Sequence, residues 1–307
     1  MRPILLYGPT ASGKSALALA LARRLGGCVI NADALQVFHD WRVLTARPSP
    51  REAAQAPHLL YGHVPADRRY SAGEWLREAR GALDLCAARS WRPIVAGGTG
   101  LYFKVLTEGL ADAPPTRPET RAAAEAALAR LGLSGLSAQL ARRDPETAAR
   151  IDLANPMRVM RAWEALETGP GLAALWARTP PPLLPLSRCL PLRLDPPREA
   201  LRARIDARFD AMLAEGALQE AGAALRLPPD APGLKALGAR ELVAHLRGAL
   251  SLEEAAARAK QATRTYAKRQ LTWGRNRMRD WGALTLHDMS PEAVAAKLSS
   301  EEAASGA

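Results

Sequence analysis

Gly8-Pro9-Thr10-Ala11-Ser12-Gly13-Lys14-Ser15 follows an apolar run, Ile4-Leu5-Leu6-Tyr7, and opens an Ala/Leu-rich stretch over residues 15–25. A glycine-bracketed loop between a strand and a helix, closing on Lys-Ser, reads as a phosphate-binding loop. Its glycines let backbone N–H groups converge on phosphate oxygens at a helix N-terminus. Lys14 adds a point charge on the terminal phosphate, and the Ser15 hydroxyl is placed to ligate Mg²⁺. The plain alternative is a glycine turn ahead of an ordinary helix. The loop specifies a phosphorylated ligand, but neither which one nor whether a phosphoryl group moves.

Outward from the loop, the first hundred residues alternate strand and helix signals, as an α/β sheet does. Residues 28–30 predict a second strand ending in Asn31-Ala32-Asp33, and Ser71-Ala72-Gly73-Glu74 a capping box whose helix runs towards Ala88. Pro93-Ile94-Val95-Ala96 predicts a third buried strand, running into Gly97-Gly98-Thr99-Gly100. After Leu110 strand-like runs vanish until about Leu190. Thr116-Arg117-Pro118-Glu119 reads as another capping signal, and Asn155-Pro156 as a cap and first-turn proline for a helix over 157–168 that stops at Gly169. Prolines at 180–182 and 185 mark a linker. Residues 189–194 return as a strand, expected at a sheet edge because of Pro191. Long helices are predicted from Arg198 and from the capping box Ser251-Leu252-Glu253-Glu254, and the tail from about Ser299 is expected to fray. The expected fold is α/β, a P-loop NTPase-like parallel-sheet core over 1–111 and 188–307, interrupted by a helical insertion over 112–187.

The 307 residues, 48% hydrophobic and 24% charged, suit a globular protein with a sizeable core. No apolar run approaches the ~20 residues of a membrane span. With the first strand predicted so early, no signal peptide is expected. Three cysteines, Cys28, Cys86 and Cys189, lie in no metal-type spacing; a reducing, cytoplasmic compartment and no zinc site are expected. A net charge of +11 beside a phosphate loop makes nucleic acid the first partner to consider, although a GC-rich genome also enriches arginine.

Ligands of open parallel sheets bind at the carboxyl ends of the strands, so the loop, Asp33 and Gly97-Gly98-Thr99-Gly100 belong to one reading. An ATPase or GTPase carries an acid on a further strand to organise Mg²⁺ or water, whereas here that strand ends without a carboxylate. The nearest acid is Asp33, either a cap or outer Mg²⁺ partner, or a general base beside the phosphates. Thr99 either caps the next helix or turns its hydroxyl to the same cleft. An Asp and a Thr bracketing one polar group suit an amine better than an attacking water. On the last long helix Arg258, Lys260, Arg264, Lys268, Arg269, Arg275, Arg277 and Arg279 face a single nearby acid, Asp280. Lys260, Arg264 and Lys268 share a helical face, which favours phosphate contact over a merely solvated surface. Tyr266 and Trp273 interleave, as base-stacking or core residues.

Together these segments resemble the tRNA dimethylallyltransferase (tRNA isopentenyltransferase) family. The loop is similar to that family's Gly-Pro-Thr-Ala-x-Gly-Lys-Ser. Asn31-Ala32-Asp33-Ala34-Leu35-Gln36-Val37-Phe38, Thr45-Ala46-Arg47-Pro48, Tyr70-Ser71-Ala72-Gly73-Glu74-Trp75 and Gly97-Gly98-Thr99-Gly100-Leu101-Tyr102 resemble further family segments in order. So do Asp144-Pro145, Arg158-Val159-Met160-Arg161-Ala162, Arg204-Ile205-Asp206 with Arg208, Ala236-Leu237-Gly238 and Tyr266-Ala267-Lys268-Arg269-Gln270-Leu271-Thr272-Trp273.

The resemblance implies transfer of a dimethylallyl group from dimethylallyl diphosphate to the exocyclic amine of the adenosine just 3′ of the anticodon in tRNA. Thr10, Lys14, Ser15 and Mg²⁺ would then stabilise a departing diphosphate, Asp33 would take or orient the amine proton, and Thr99 would assist. The implied tRNA contacts are Asp33, Ala34, Leu35, Gln36, Thr99, Arg121, Met157, Arg158, Val159, Met160, Arg161, Arg240, Lys268 and Arg269, on the anticodon stem-loop of a substrate met by a monomer. Ala34 and Ala239 depart from the serine and tyrosine common there, Arg47 replaces a lysine, and residues 151–155 depart from the usual Ile-His-Pro-Asn-Asp; the cysteine-pair zinc finger of eukaryotic relatives is absent. The rival readings are a P-loop kinase or NTPase acting on a small metabolite, and an RNA-binding module with a vestigial loop.

Overall fold

Ile4–Tyr7 forms β1, buried along its whole length, with strands paired on both of its edges. The computed structural model describes residues 1–112, 116–286 and 290–305. Among them, β1 joins β2 (Gly27–Asn31), β3 (His58–Leu59), β4 (Arg92–Gly97), β5 (Leu190–Leu194) and β6 (Gly282–Leu284) in one parallel sheet of order β3-β2-β4-β1-β5-β6. The unbroken Val/Ile/Leu character of β1, β2 and β4 is what a strand buried on both faces needs.

The helix α1 (Lys14–Leu25) returns the chain from β1 to β2 and buries Leu17, Ala18 and Leu21, spaced three and four residues apart, on the sheet. The short α2 (Pro50–Ala53) precedes β3, and α3 (Ala72–Ala88) starts at the reciprocal Ser71–Glu74 capping box expected from the sequence. β4 passes into α4 (Gly100–Glu108).

The chain divides into two units, Met1–Thr107 with Leu184–Ala307, and Glu108–Leu183. The second is helical: α5 (Pro118–Arg143), broken at Gly132, then α6 (Pro145–Arg150), α7 (Pro156–Thr168) and α8 (Leu172–Trp176). Its core holds Leu136, Leu140, Val159 and Ala162. Asn155 caps α7 by accepting from the N–H groups of Met157 and Arg158. Thr116 does not cap α5; its hydroxyl donates to the Glu164 carboxylate instead, at 2.9 Å.

After β5, the first unit continues through α9 (Arg198–Ala214), α10 (Ala217–Ala223), α11 (Ala239–Leu246), α12 (Leu252–Arg277) and α13 (Pro291–Ser305). α12 opens on the Ser251–Glu254 capping box. Residues from 37–66 pack with α9, α10 and α11 in a cluster around Trp41, Leu44, Phe209 and Leu242.

β5 is not an edge strand, since β1 lies on one side and β6 on the other. Its proline is tolerated by register. Leu190 N–H points to β1, donating to Pro3, so the N–H that Pro191 lacks would point to β6, whose pairing starts only at Leu192. Pro93 in β4 obeys the same rule: Arg92 N–H faces β2, and β1 begins pairing only at Ile94. The tail expected to fray from Ser299 stays helical to Ser305.

Gly97 closes β4 against the turn after β2, where an added Cβ would stand 2.0 Å from the Ala32 carbonyl oxygen. Backbone cannot yield as a side chain can, so Gly97→Ala should cost at least about 3 kcal/mol, read from the urea midpoint.

Candidate active site

Three strand ends are stitched together at the carboxyl edge of the sheet, where this topology places ligands. Gly8 N–H donates to Gly97 at 3.1 Å, Thr99 N–H to Ala32 at 3.1 Å, and Ala32 N–H to Ala96 at 2.9 Å. The phosphate loop, Asp33 and Thr99 therefore share one crevice.

Within the loop, Ala11 (φ 59) and Gly13 (φ 91) adopt left-handed backbone, the geometry that turns successive N–H groups inward around an anion. Ser12 is buried and its Oγ has no hydrogen-bond partner among the described residues, an orphaned donor that an anion in the loop would satisfy. Ser15, the second residue of α1, is exposed, and its hydroxyl is free to meet a hydrated cation. Among the described residues no group of three or more His, Cys, Asp or Glu could hold a metal by itself. A divalent ion here would need phosphate oxygens as ligands.

Lys14 is 7% exposed and lies 3.4 Å from the Pro9 carbonyl. Burial pushes its amine down to about 8, against the pull of the Asp33 carboxylate and with a further push from Arg208. Burial likewise lowers Arg208, and Asp33 opposes that shift too. Two cations on α1 and α9 thus face one carboxylate after β2.

Asp33 is held by a turn that Asn31 builds. The Asn31 side chain accepts from Asp33 N–H at 2.8 Å and donates to the Asp33 and Leu60 carbonyls at 3.0 and 2.9 Å. Asp33 Oδ1 accepts from Leu35 N–H at 3.0 Å, which leaves its second oxygen for other work. Thr99 does not cap α4. Its Oγ1 accepts from Ala34 N–H at 2.8 Å, so the hydroxyl proton points elsewhere, and the buried phenol of Tyr266 is its neighbour.

Gln270 of α12, buried, bridges two of these segments. Its Oε1 accepts from Thr10 N–H and its Nε2 donates to the Gly98 carbonyl, both at 2.9 Å. Tyr7 hydroxyl donates to the Gln270 carbonyl at 2.7 Å. A Cβ on Gly98 would stand 2.1 Å from Gln270 Nε2, and one on Gly100 1.9 Å from Trp273 Nε1. The two glycines let α12 come this close.

Sequence reasoning did not mark Asn31, Arg208 or Gln270 as site residues. The available signal was a polar Gln between apolar positions of a basic helix, and an Arg one turn from Ile205. The reading of α12 as a phosphate-facing helix needs correction. Lys260 pairs with Asp210 at 2.6 Å, and Arg264 Nη1 donates to both carboxylate oxygens of Asp206 at 2.7 and 2.8 Å, so that face is neutralised by α9. Lys268 and Arg269 remain exposed, Arg269 over the ring of Tyr266. Arg240 is exposed near the start of α11, and Ala34 and Leu35 are half-buried.

Gln36 is buried and donates to the Thr45 and Ala46 carbonyls, which fixes a loop rather than offering a contact. In the second unit Val159 and Met160 are core residues, while Met157 and Arg158 are exposed. Arg121 Nε lies 2.7 Å from the fully buried Glu164 carboxylate, and Arg161 reaches Thr116 at 2.6 Å and Glu164 at 3.6 Å.

The buried Lys14 makes a stability test. Its folded-state value lies below the ordinary 10.5, so the fold carries the penalty of a buried cation below pH 8 and sheds it between pH 8 and 10.5. Lys14→Met should therefore stabilise the fold at pH 7 by up to about 3 kcal/mol, a gain that shrinks as pH rises through that window. The same variant should weaken inorganic diphosphate binding about 100-fold, measured by calorimetry beside thermal melts.

Comparison with known proteins places this geometry. The family model for IPP transferase matches residues 36–277, and that for isopentenyl transferase matches residues 1–61. A tRNA dimethylallyltransferase of Cereibacter sphaeroides is 58% identical over 287 residues, covering 93% of this chain and 89% of that protein. The tRNA isopentenylpyrophosphate transferase structure from Bacillus halodurans superposes with a TM-score of 0.71 at 29% identity, covering 99% of this chain and 96% of the other. A eukaryotic dimethylallyltransferase captured acting on tRNA gives a TM-score of 0.80 at 27% identity, covering 93% and 74%. Matched by that family model over residues 36–277 and 58% identical to a curated relative across 93% of its own length, the chain belongs to the IPP transferase family, that of the tRNA dimethylallyltransferases.

Proposed function

We propose that this chain transfers a dimethylallyl group from dimethylallyl diphosphate to the exocyclic amine of the adenosine 3′-adjacent to the anticodon in tRNA. The observation that carries this reading is the pairing, in one crevice, of a phosphate loop with Asp33 and Thr99, where β4 ends without the acid that phosphoryl transfer uses. The names of the relatives support the same substrate classes.

On this reading the loop N–H groups, Ser12 Oγ, Lys14 and Arg208 hold the diphosphate, and they stabilise the charge that grows as the allylic C–O bond breaks. An allylic carbon spreads positive charge, so leaving-group stabilisation carries much of the barrier. The amine nitrogen forms the new C–N bond, Asp33 accepts its proton, and diphosphate leaves. Thr99, fixed by Ala34 N–H, orients the amine. Ser15 and the diphosphate oxygens fit Mg²⁺, which when bound would supply further neutralisation of the leaving group. The adenosine must leave its stack to enter the crevice.

On the segment 112–187 the exposed Met157 and Arg158 are the contacts proposed for tRNA, Arg121 and Arg161 being engaged by Glu164; on the sheet-bearing part the proposed contacts with its phosphates and splayed bases are Arg240, Lys268 and Arg269. The described helices include none long and apolar enough to cross a membrane. A monomer working in the cytoplasm completes the reading.

Labelled dimethylallyl diphosphate incubated with the protein, Mg²⁺ and unmodified tRNA should leave label in the tRNA. ATP turnover without labelled tRNA would instead establish the kinase reading. Asp33→Asn should lower kcat about 100-fold or more with tRNA affinity changed less than about twofold; a pure affinity loss would remove Asp33 from the base role. Lys268→Ala should reduce the slope of log affinity for tRNA against log salt by about one, and an unchanged slope would remove its phosphate contact.

A further inference from the structure

Five tyrosines occur in the chain, and four of them, Tyr7, Tyr61, Tyr102 and Tyr266, lie within reach of the Asp33 charge. Burial first, and the carboxylate after it, raise each phenol above its ordinary value, so all four stay neutral and keep an O–H proton to give. Three of the four are engaged elsewhere. Tyr7 donates to the Gln270 carbonyl at 2.7 Å, Tyr102 is 3% exposed and stacked on Trp75 with ring centroids 4.4 Å apart, and Tyr61 packs with the apolar cluster of α1 and β2. Tyr266 remains.

Its place is set by α12. Gln270 donates to the Gly98 carbonyl and Trp273 packs against Gly100, so the helix runs along the Gly98-Thr99-Gly100 turn. Tyr266 stands one turn before Gln270 on the same face, which brings its ring to Thr99. Thr99 Oγ1 already accepts from Ala34 N–H at 2.8 Å, and its own proton goes to the phenol oxygen, a hydrogen bond that works against the rise in Tyr266. Among the described residues no acceptor takes the phenol proton in turn. The Arg269 guanidinium lies over the same ring, 5.6 Å from its centroid, and a cation there draws on the ring electrons and sharpens the O–H as a donor.

The crevice thus holds two acceptors, the second Asp33 oxygen and a Thr99 lone pair, next to one unspent donor. The Watson–Crick edge of adenine is their complement, an amine with two protons beside N1, an acceptor. Guanine would turn its O6 acceptor to the acceptors and its N1 proton to the donor, leaving both contacts unpaired where water is scarce. We propose that the Tyr266 hydroxyl donates to N1 of the flipped adenosine while Asp33 and Thr99 receive its amine, which makes Tyr266 the residue that selects adenine over guanine. The proposal rests on the reaction above and adds a reader of the ring to the groups that act on the amine.

The test pairs two synthetic anticodon stem-loops, with adenosine or 1-deazaadenosine at the modified position, each offered with labelled dimethylallyl diphosphate and Mg²⁺. 1-Deazaadenosine keeps the amine and replaces N1 by C–H. The unaltered protein should use it about 30-fold less well in kcat/KM. Tyr266→Phe should cost adenosine a similar factor and cost 1-deazaadenosine less than about threefold, so that the two substrates become nearly equal. Inhibition by inorganic diphosphate, which reads the phosphate loop, should stay as it was. Because each ratio compares two substrates on one protein, an unfolded fraction of the variant cancels from it. An unaltered protein indifferent to the loss of N1, or a Phe variant that loses the same factor on both substrates, would overturn the role of Tyr266 and leave the reaction in place. No label in the adenosine stem-loop with the unaltered protein would remove the reaction, and the proposal with it.

Discussion

One side-chain amide holds the crevice together. Gln270 accepts from the loop and donates to the end of β4, so the segments at residues 10, 98 and 270 are locked by a single buried group. A buried amide left with either end unpaired costs on the order of 1–3 kcal/mol, so each partner keeps the others in place. Tyr7 adds a second tie to the same residue, from inside β1. Docking of α12 is therefore not decoration on a finished sheet: the loop has its shape only when the last long helix is seated. It also explains two otherwise costly glycines, Gly98 and Gly100, which leave the space that Gln270 and Trp273 fill.

Around that tie the charges are arranged with few partners. Asp33 is within electrostatic reach of both Lys14 and Arg208, and all three are taken largely out of water. A ligand with concentrated negative charge improves the balance on the cationic side, and a neutral amine near Asp33 leaves it undisturbed. The ordering differs from that of a nucleotide hydrolase, in which acid, metal and water lie on the phosphate side. Here the acid comes after β2, held by Asn31 at a distance from the loop set by the sheet.

Much of this was legible in the sequence where a local rule decides the outcome. The Ser71–Glu74 and Ser251–Glu254 capping boxes, the Asn155 cap and the apolar runs of β1, β2 and β4 depend on neighbours a few residues away, and each formed as read. Where the outcome depends on a distant partner, the reading fell short. Lys260 and Arg264 looked like a phosphate-facing stripe because Asp206 and Asp210, on another helix, could not be placed opposite them. Pro191 suggested an edge because the late start of β6 was invisible, and β3 and β6 are too short to carry a periodicity. In the second unit Arg121 and Arg161 were visible as cations, but the buried Glu164 between them was not.

The buried Lys14 has a consequence for the end of the catalytic cycle. On the proposed chemistry, breaking the C–O bond gives the diphosphate one more negative charge than it had as an ester. A loop with an orphaned Ser12 hydroxyl and a lysine kept charged against its surroundings then grips the by-product harder than the reactant. On such a scaffold the site that helps the anion to leave carbon also opposes its leaving the protein.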